Sequence, residues 1–449
     1  MDRPITEKET GRGGDGVNVA VSPRRPVSGS RFSTQVAWTF AARVLMIFNS
    51  VVAGIIVARW LGAEAVGELA VINVAVATVV QFGTLGLPSS NTYVIAQNPE
   101  RLRAAAINSL IFVAVVGPLL GLGLSALASI RPDLFGFVSL ELIRIAAISV
   151  PFQLLTLIGL NILLAMGKVR EFNLLDLAGQ SFALINAVVA LVVLEGYLLT
   201  LVLWNTMASI LTGLAVALLL AISAKRLTAS KWRADMALFG RMIQYGLKFH
   251  VSILMSIIII RADLLVVNHY RGAAEAGVYS VASQFGLLLM LLPGVIATLL
   301  FPRVTAEQDA RGETTCQVTR YTTFIMFLCC VGAVPLSLLL PVLYGAAFSQ
   351  ATGLLLILLP GVYLIGLESV LVQHFNALGL PRAIPIYWVI TLVLNLILVF
   401  TLVPRYGAQG AAIASTISYA AIFALVALHF HTSTGRSFSE VFVLRSLRG

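Results

Sequence analysis

The chain contains twelve long runs of apolar residues, and these runs constrain its fold more than any other feature. A bilayer core about 30 Å thick needs about 20 apolar residues per helix. Because 59% of the residues are hydrophobic and only 11% are charged, a surface covered by water is excluded. The sequence therefore predicts an all-α integral membrane protein with twelve transmembrane helices, at approximately 36–60, 65–86, 104–128, 145–166, 174–194, 197–223, 245–269, 275–300, 321–344, 352–378, 384–403 and 407–431.

One short segment of the first half recurs in the second half. Residues 61–71 (LGAEAVGELAV) reappear with changes at 271–281 (RGAAEAGVYSV), each time between two apolar runs. Each half holds an even number of predicted crossings, so the two copies enter the membrane with the same orientation. We predict two six-helix bundles related by a parallel pseudo-two-fold axis. Glycine permits tight turns and close helix contacts, and the glycines to which we assign this structural turn role are Gly62, Gly67, Gly272, Gly277, Gly407 and Gly410.

Five segments follow from this division. We predict a disordered basic cytoplasmic tail at 1–35, which has no apolar run and so no cleavable signal peptide. The N-terminal bundle covers 36–223 and the C-terminal bundle 245–431. A cytoplasmic linker at 224–244 joins them, and a second cytoplasmic tail covers 432–449.

The basic residues predict the orientation of the chain in the membrane. Of the 30 Lys and Arg residues, 23 fall on one side, five fall on the other, and Arg43 and Arg261 lie within spans. Positive loops stay in the cytoplasm, so both termini are expected there. The net charge of +10 is spread over short loops, which excludes nucleic acid as a partner. Arg outnumbers Lys 25 to 5, which indicates a GC-rich bacterial source and hence the bacterial inner membrane.

Two segments near the C-terminus resemble a known family. Residues 376–382 (NALGLPR) and 403–412 (VPRYGAQGAA) flank a span that contains Asn395. This pattern resembles the closing part of the polysaccharide flippase family, which moves lipid-linked oligosaccharides such as O-antigen units. Residues 272–279 are similar to the loop after the seventh helix of that family. The same superfamily holds the multidrug and toxic-compound extruders (MATE) and the lipid II flippases.

The resemblance implies a MATE-like architecture and a function. The substrate would be a polyprenyl-pyrophosphate-linked glycan, moved by alternating access from the cytoplasmic to the outer leaflet. Membrane lipids surround the protein, and a polysaccharide polymerase or assembly proteins are the expected partners. We expect no cofactor and no metal, other than a coupling ion, H⁺ or Na⁺.

A few ionisable residues within the spans are the candidates for function, because each is costly in the bilayer unless it faces water or a partner. Arg43 and Arg261 lie on equivalent helices of the two halves, and a guanidinium can bind phosphate oxygens in pairs. We assign them to substrate binding together with Asn49. Asp263 and Glu368 are assigned to ion coupling or to an acidic group in the cavity. Simpler roles stay open: either arginine can extend to the membrane surface, and Glu368 or Asn49 can bond another helix.

Three classes of function predict different residues in such a chain. A flippase predicts a cationic cleft without catalytic groups. A MATE-type exporter of drugs or small molecules would need an acidic residue in the first-half cavity, yet the first span carries Arg43 and no Asp or Glu. A membrane enzyme would need a large outer loop or an acidic motif, and neither occurs in the sequence. The flippase is therefore the predicted function, and the exporter is the alternative.

Overall fold

The computed structural model describes residues 29–136, 138–227, 233–307, 309–379 and 381–443. Within these ranges the chain forms fifteen α-helices and no β-strand. The helices are α1 (Gly29–Gly83), α2 (Leu87–Gln97), α3 (Leu102–Ile130), α4 (Leu140–Ala147), α5 (Val150–Ala165), α6 (Val169–Ala187), α7 (Leu198–Leu227), α8 (Met236–Arg271), α9 (Ala273–Leu289), α10 (Leu291–Glu307), α11 (Glu313–Ser337), α12 (Leu340–Tyr344), α13 (Ser349–Ala377), α14 (Ala383–Thr434) and α15 (Phe438–Phe442).

Ten helical segments in the described ranges are long and apolar enough to cross a membrane. Two of them are much longer than one crossing: Ala41–Gly83 has 43 residues and Ala383–Thr434 has 52. At about 1.5 Å per residue, each could cross a bilayer core of about 30 Å twice. Both break where a glycine leaves helical geometry, at Gly62 (φ 81°, ψ −177°) and at Gly407 (φ 56°, ψ −137°). The predicted all-helical, multi-pass membrane protein is confirmed.

The six glycines assigned to turns fall into two groups. Gly62, Gly272 and Gly407 have positive φ angles, which other residues rarely adopt, and each lies where a helix turns or ends. The other three are not turn residues. They lie inside helices, where the missing side chain lets another stretch of main chain approach closely; they are Gly67, Gly277 and Gly410.

Two of the predicted spans consist of two helices each. The span predicted at 145–166 is broken at Ile148 and Ser149, just before Pro151. The span predicted at 275–300 is broken at Met290, just before Pro293. A proline ring lacks an amide hydrogen and clashes with the preceding turn, so it favours the start of a new helix.

The segment boundaries differ from the predicted ones. Residues 1–28 of the predicted tail lie outside the described residues, and α1 already begins at Gly29. In the predicted linker, residues 228–232 also lie outside them, whereas α8 begins at Met236. At the other end α14 continues to Thr434 and α15 follows, with 444–449 outside the described ranges.

Buried apolar side chains form two large cores. One core draws on residues 71–220 and also includes Leu238 and Met242 of α8. The other draws on residues 264–414 and also includes Ala58 and Val74 of α1. Helices α1 and α8 therefore each contribute apolar area to the core of the opposite half, and this shared burial holds the halves together.

The two copies of the repeated segment pack against each other. A Cβ atom on Gly67 would lie 1.8 Å from the carbonyl oxygen of Ala273, and one on Gly277 would lie 2.1 Å from that of Ala63. Only glycine allows such an approach of two main chains. We refer to this reciprocal contact of Ala63 and Gly67 with Ala273 and Gly277 as the glycine seam.

Polar bonds fasten the kink of α14 to the junction between α8 and α9. The Arg271 guanidinium donates to the carbonyl oxygens of Pro404, at 3.1 Å, and Arg405, at 3.0 Å. The Glu275 carboxylate accepts from the amide of Ala408 at 2.6 Å. The backbone groups that the Gly407 break frees from the helix are thus bonded by these two side chains.

Candidate functional site

A cavity of about 660 Å³ lies between the two halves of the chain. Its lining follows α1 from Arg43 to Val57 and continues beyond the Gly62 break from Val66 to Val74. Residues of α6, α7, α8 and α9 and the first residue of α10, Leu291, complete it. Cavities of this size suit ligands of several hundred daltons. We refer to it as the central cavity.

Arg261 of α8 is the free positive charge of the central cavity. Its side chain lines the cavity and is exposed there. In the part of the chain that the structure describes, it makes no ion pair and no hydrogen bond. Such a guanidinium offers five donors in a fixed fork to an incoming anion.

Arg43 lines the same cavity but already has a partner. Its guanidinium lies 3.2 Å from the carboxylate of Asp176 on α6, and its side chain is 43% exposed. The pair connects α1 to α6. The structure thus brings Arg43 and Arg261 to one cavity, with the charge of Arg43 partly neutralised.

Asp263 is buried at the wall of the central cavity, and three groups donate to its carboxylate. These donors are the hydroxyl of Tyr279, the hydroxyl of Ser415 at 2.8 Å and the amide of Leu264 at 2.7 Å. A buried carboxylate is costly unless it is hydrogen-bonded. Asp263 therefore joins α8, α9 and α14 rather than facing the cavity with free oxygens.

The other two candidates do not line the central cavity. Glu368 is buried within α13, and its Oε1 atom has no hydrogen-bond partner among the described residues. Asn49 is also buried, and its amide donates to the hydroxyl of Ser181 on α6 at 2.8 Å. Asn49 is thus an interhelical contact in this structure, which matches its simpler alternative role.

The central cavity is also lined by amide side chains to which the sequence assigned no role. Asn73, Gln180 and Asn205 line the central cavity. Gln284 of α9 also lines it and donates to the hydroxyl of Ser50 on α1 at 2.9 Å, which links the two halves. A signal was present, since Asn73 and Gln81 are eight residues apart and share one helix face with the small residue Ala77.

A second cavity, of about 630 Å³, continues from the central cavity into the first half. The two share Asn73, Gln180, Asn205 and Arg261 in their linings. The second cavity is otherwise lined by residues of α1 and α4 to α7. We refer to it as the amide cavity.

The glycine seam closes one end of the central cavity. Val66 and Ser280 line the cavity within one turn of Gly67 and Gly277. Beside them, Tyr344 is buried against Phe285 and Phe348 and touches Gly54. The main chains at this end are too close for a ligand to pass.

A sequence profile of the family described as "Polysaccharide biosynthesis protein" matches residues 56–352, which is well over half of the chain. The chain belongs to this polysaccharide biosynthesis protein family. The matched region includes Arg261, most of the central cavity and both copies of the repeated segment. The resemblance seen in the sequence is thereby confirmed.

A curated relative of this family member is a candidate O-antigen transporter of Shigella flexneri. The two are 27% identical over 185 residues, which are 40% of this chain and 44% of the transporter. The chain therefore aligns with less than half of the length of that relative.

Two solved structures share the fold of this family member. The lipid II flippase MurJ, in an inward closed conformation, superposes with a TM-score of 0.70 at 19% identity, over 88% of this chain and 87% of MurJ. An inward-facing multidrug transporter of the MATE family superposes with a TM-score of 0.68 at 15% identity, over 87% of this chain and 96% of the transporter. The predicted MATE-like fold is confirmed.

Proposed function

We propose that the protein is a flippase that moves a polyprenyl-pyrophosphate-linked oligosaccharide from the cytoplasmic to the outer leaflet for surface polysaccharide biosynthesis. Three observations support this proposal: membership of a polysaccharide biosynthesis family, the partial similarity to a candidate O-antigen transporter, and a central cavity that contains arginine. Transport by alternating access, rather than catalysis, is the activity.

The observation that carries the proposal is the exposed and unpaired guanidinium of Arg261 in the central cavity. Charged residues within a membrane protein usually pair with another charged or polar group, and Arg261 is exposed to the cavity without such a pair among the described residues. A pyrophosphate supplies oxygens that match the guanidinium fork. Arg43 adds a second guanidinium to the same lining, and a phosphate could compete with Asp176 for it.

The architecture that we propose has twelve crossings in two six-helix bundles. The ten candidate spans become twelve when the two long helices are each divided at their glycine breaks. The reciprocal contact of the repeated segments supports a parallel pseudo-two-fold axis through the glycine seam. The positive-inside pattern supports cytoplasmic termini and an inner-membrane location.

In this arrangement the glycine seam closes the outer end of the cavity. The two copies of the repeated segment lie at the predicted outer ends of the first and seventh spans, so the cavity is accessible from the cytoplasm. Rocking of the bundles would open the seam and expose the head group outside. A coupling ion, H⁺ or Na⁺, would act at Asp263 or Glu368. A polymerase or assembly protein would receive the flipped glycan.

The alternative is a MATE-type exporter of a drug or small molecule. The observation in its favour is a carboxylate, Asp263, at the wall of the central cavity, which could attract a cation. However, its oxygens already accept bonds from Tyr279, Ser415 and Leu264. A cationic drug would also be repelled by Arg261.

Substitution of the arginines tests the flippase proposal. Arg43 and Arg261 are each replaced by Ala and by Lys, and export of surface polysaccharide is measured at matched expression. We expect Arg261→Ala to lower export by about 10-fold or more, because a charged hydrogen bond contributes about 1.5–3 kcal/mol. Lys should retain part of the activity, since it keeps the charge without the fork.

Arg144→Ala is the matched control. Arg144 is exposed, lies outside the central cavity and donates to Ser129 at 3.2 Å. Full export by all four cavity variants would contradict the proposed site. If these substitutions increase the export of a cationic dye and leave polysaccharide export unchanged, the result would favour the exporter.

A further inference from the structure

We propose that the amide cavity is the glycan subsite of this transporter and that it takes the uncharged, hydroxyl-rich sugar units next to the pyrophosphate. This inference rests on the proposed flippase function and adds where the sugars bind.

The amide cavity is unusually polar for the interior of a membrane bundle. Its lining contains six carboxamide side chains: Asn73, Gln81, Gln153, Gln180, Asn186 and Asn205. A carboxamide carries both donors and acceptors, so it can bond a sugar hydroxyl in either sense. Amides are therefore suited to a neutral ligand with many hydroxyl groups.

Three of these amides lack any partner in the described part of the chain. The side chains of Asn73, Gln81 and Gln180 make no hydrogen bond to another described residue. By contrast, Gln153 donates to Ser149 and Asn186 donates to Asn205, both at 2.9 Å. Polar groups without partners are costly in a membrane helix unless water or a ligand bonds them.

Charge in the amide cavity is nearly balanced. Among the described residues, Asp176 and Arg261 are the ionisable ones in its lining. Asp176 is paired with Arg43, so Arg261 alone remains to hold an anion. Because Arg261 lies where the two cavities join, it would bind the pyrophosphate at the entrance of the amide cavity.

The length of the amide cavity and the smaller size of its counterpart in the second half also support a glycan subsite in the first half. Asn73 and Gln81 are eight residues apart, which is about 12 Å along a helix and is long enough for a short oligosaccharide. The corresponding small cavity beside Asp263 and Tyr419 in the second half has only about 30 Å³. Another cavity, of about 580 Å³, is lined mainly by second-half residues, but among the described residues its lining contains no arginine and shares nothing with the central cavity.

The test compares the binding of two lipids to the full-length protein in nanodiscs. One is undecaprenyl pyrophosphate that carries a neutral trisaccharide, and the other is undecaprenyl pyrophosphate alone. Gln81→Met and Gln153→Met remove amides that line the amide cavity but not the central cavity. Asn161→Leu is the control, because that amide bonds Leu157 of its own helix and lines neither cavity.

We expect wild-type protein to bind the glycosylated lipid more tightly than the bare lipid. Each Gln→Met variant should lose about 3- to 10-fold in affinity for the glycosylated lipid and keep its affinity for the bare lipid. Monodisperse elution and an unchanged melting temperature establish that the variants are folded. The free trisaccharide should compete with the glycosylated lipid in the wild type.

Three results would overturn the inference. Equal binding of both lipids by the wild type would show that the sugars contribute nothing, while the flippase proposal would stand. Equal losses for both lipids in the Gln variants would place these amides outside a glycan subsite. If neither lipid binds to the wild type, the proposed function fails, and the subsite fails with it.

Discussion

Gly67 and Gly277 touch through their main chains, since a Cβ atom on either would lie 2.9 Å from the amide nitrogen of the other. We expect Gly67→Ala to force α1 and α9 apart and to destabilise the protein by about 1–3 kcal/mol, the usual cost of overpacking. Thermal unfolding of the purified protein measures the effect. Gly123→Ala is the control, because nothing lies within 4 Å of its added Cβ. Equal melting temperatures of the two variants would contradict the seam.

The ion pair of Arg43 and Asp176 should contribute little to stability. The Arg43 side chain is 43% exposed and that of Asp176 is 19% exposed, and half-exposed pairs typically contribute about 0.2–1 kcal/mol. A double-mutant cycle with Arg43→Gln and Asp176→Asn measures the coupling. A coupling energy well above this range would show that the pair is structural and that Arg43 is not available to a ligand.

The carboxylate of Asp263 should depend on the hydroxyl of Tyr279. Tyr279→Phe leaves a buried acceptor with one bond fewer, which should cost about 1–3 kcal/mol in the free energy of unfolding. Ser283→Ala is the control, because that hydroxyl bonds only Ser280 of its own helix. If both variants unfold at the same temperature, the bond between Tyr279 and Asp263 has no energetic role.

Substitution of Glu368 tests the proposed ion coupling. Its Oε1 atom is buried without a partner in the described ranges, so Glu368→Gln should leave the fold intact. If Glu368 carries the coupling ion, the variant should transport at a rate that collapse of the ion gradients no longer changes. Undiminished sensitivity to that collapse would exclude Glu368 and leave Asp263 as the candidate.

A pH effect is expected at the loop after α3. The guanidinium of Arg131 donates to the carboxylate of Asp133 at 3.0 and 2.7 Å and lowers the pKa of that carboxyl below its ordinary value. A carboxyl with a lowered pKa in the folded state stabilises above its unfolded pKa and loses this contribution as the pH falls through the folded pKa. The stability difference between wild type and Asp133→Asn should therefore be constant near neutrality and shrink below the ordinary carboxyl pKa. Both residues are exposed, so the difference should be small.

The sequence predicted which residues lie in the membrane better than it predicted where their side chains point. The spans and the placement of Arg43 and Arg261 in one cavity follow from apolar length and from helix equivalence. The contacts of Asn49 with Ser181 and of Arg43 with Asp176 could not be predicted, because helices that are apolar on all sides have no marked face. Only the packing of neighbouring helices fixes their rotation.

The bond pattern of Arg271 has a consequence for how the two halves could move. Arg271 and Glu275 hold the α14 kink through directional bonds to backbone groups. At the equivalent place in the first half, Leu61 packs against the apolar cluster that contains Val57, and the neighbouring guanidinium of Arg59 donates to the carbonyl oxygens of Val342 and Leu343 in α12. The arginine of the second-half joint is thus bonded within its own half, whereas the arginine of the first-half joint is bonded to the other half. Separation of the two halves would break the bonds of Arg59 and leave those of Arg271 intact.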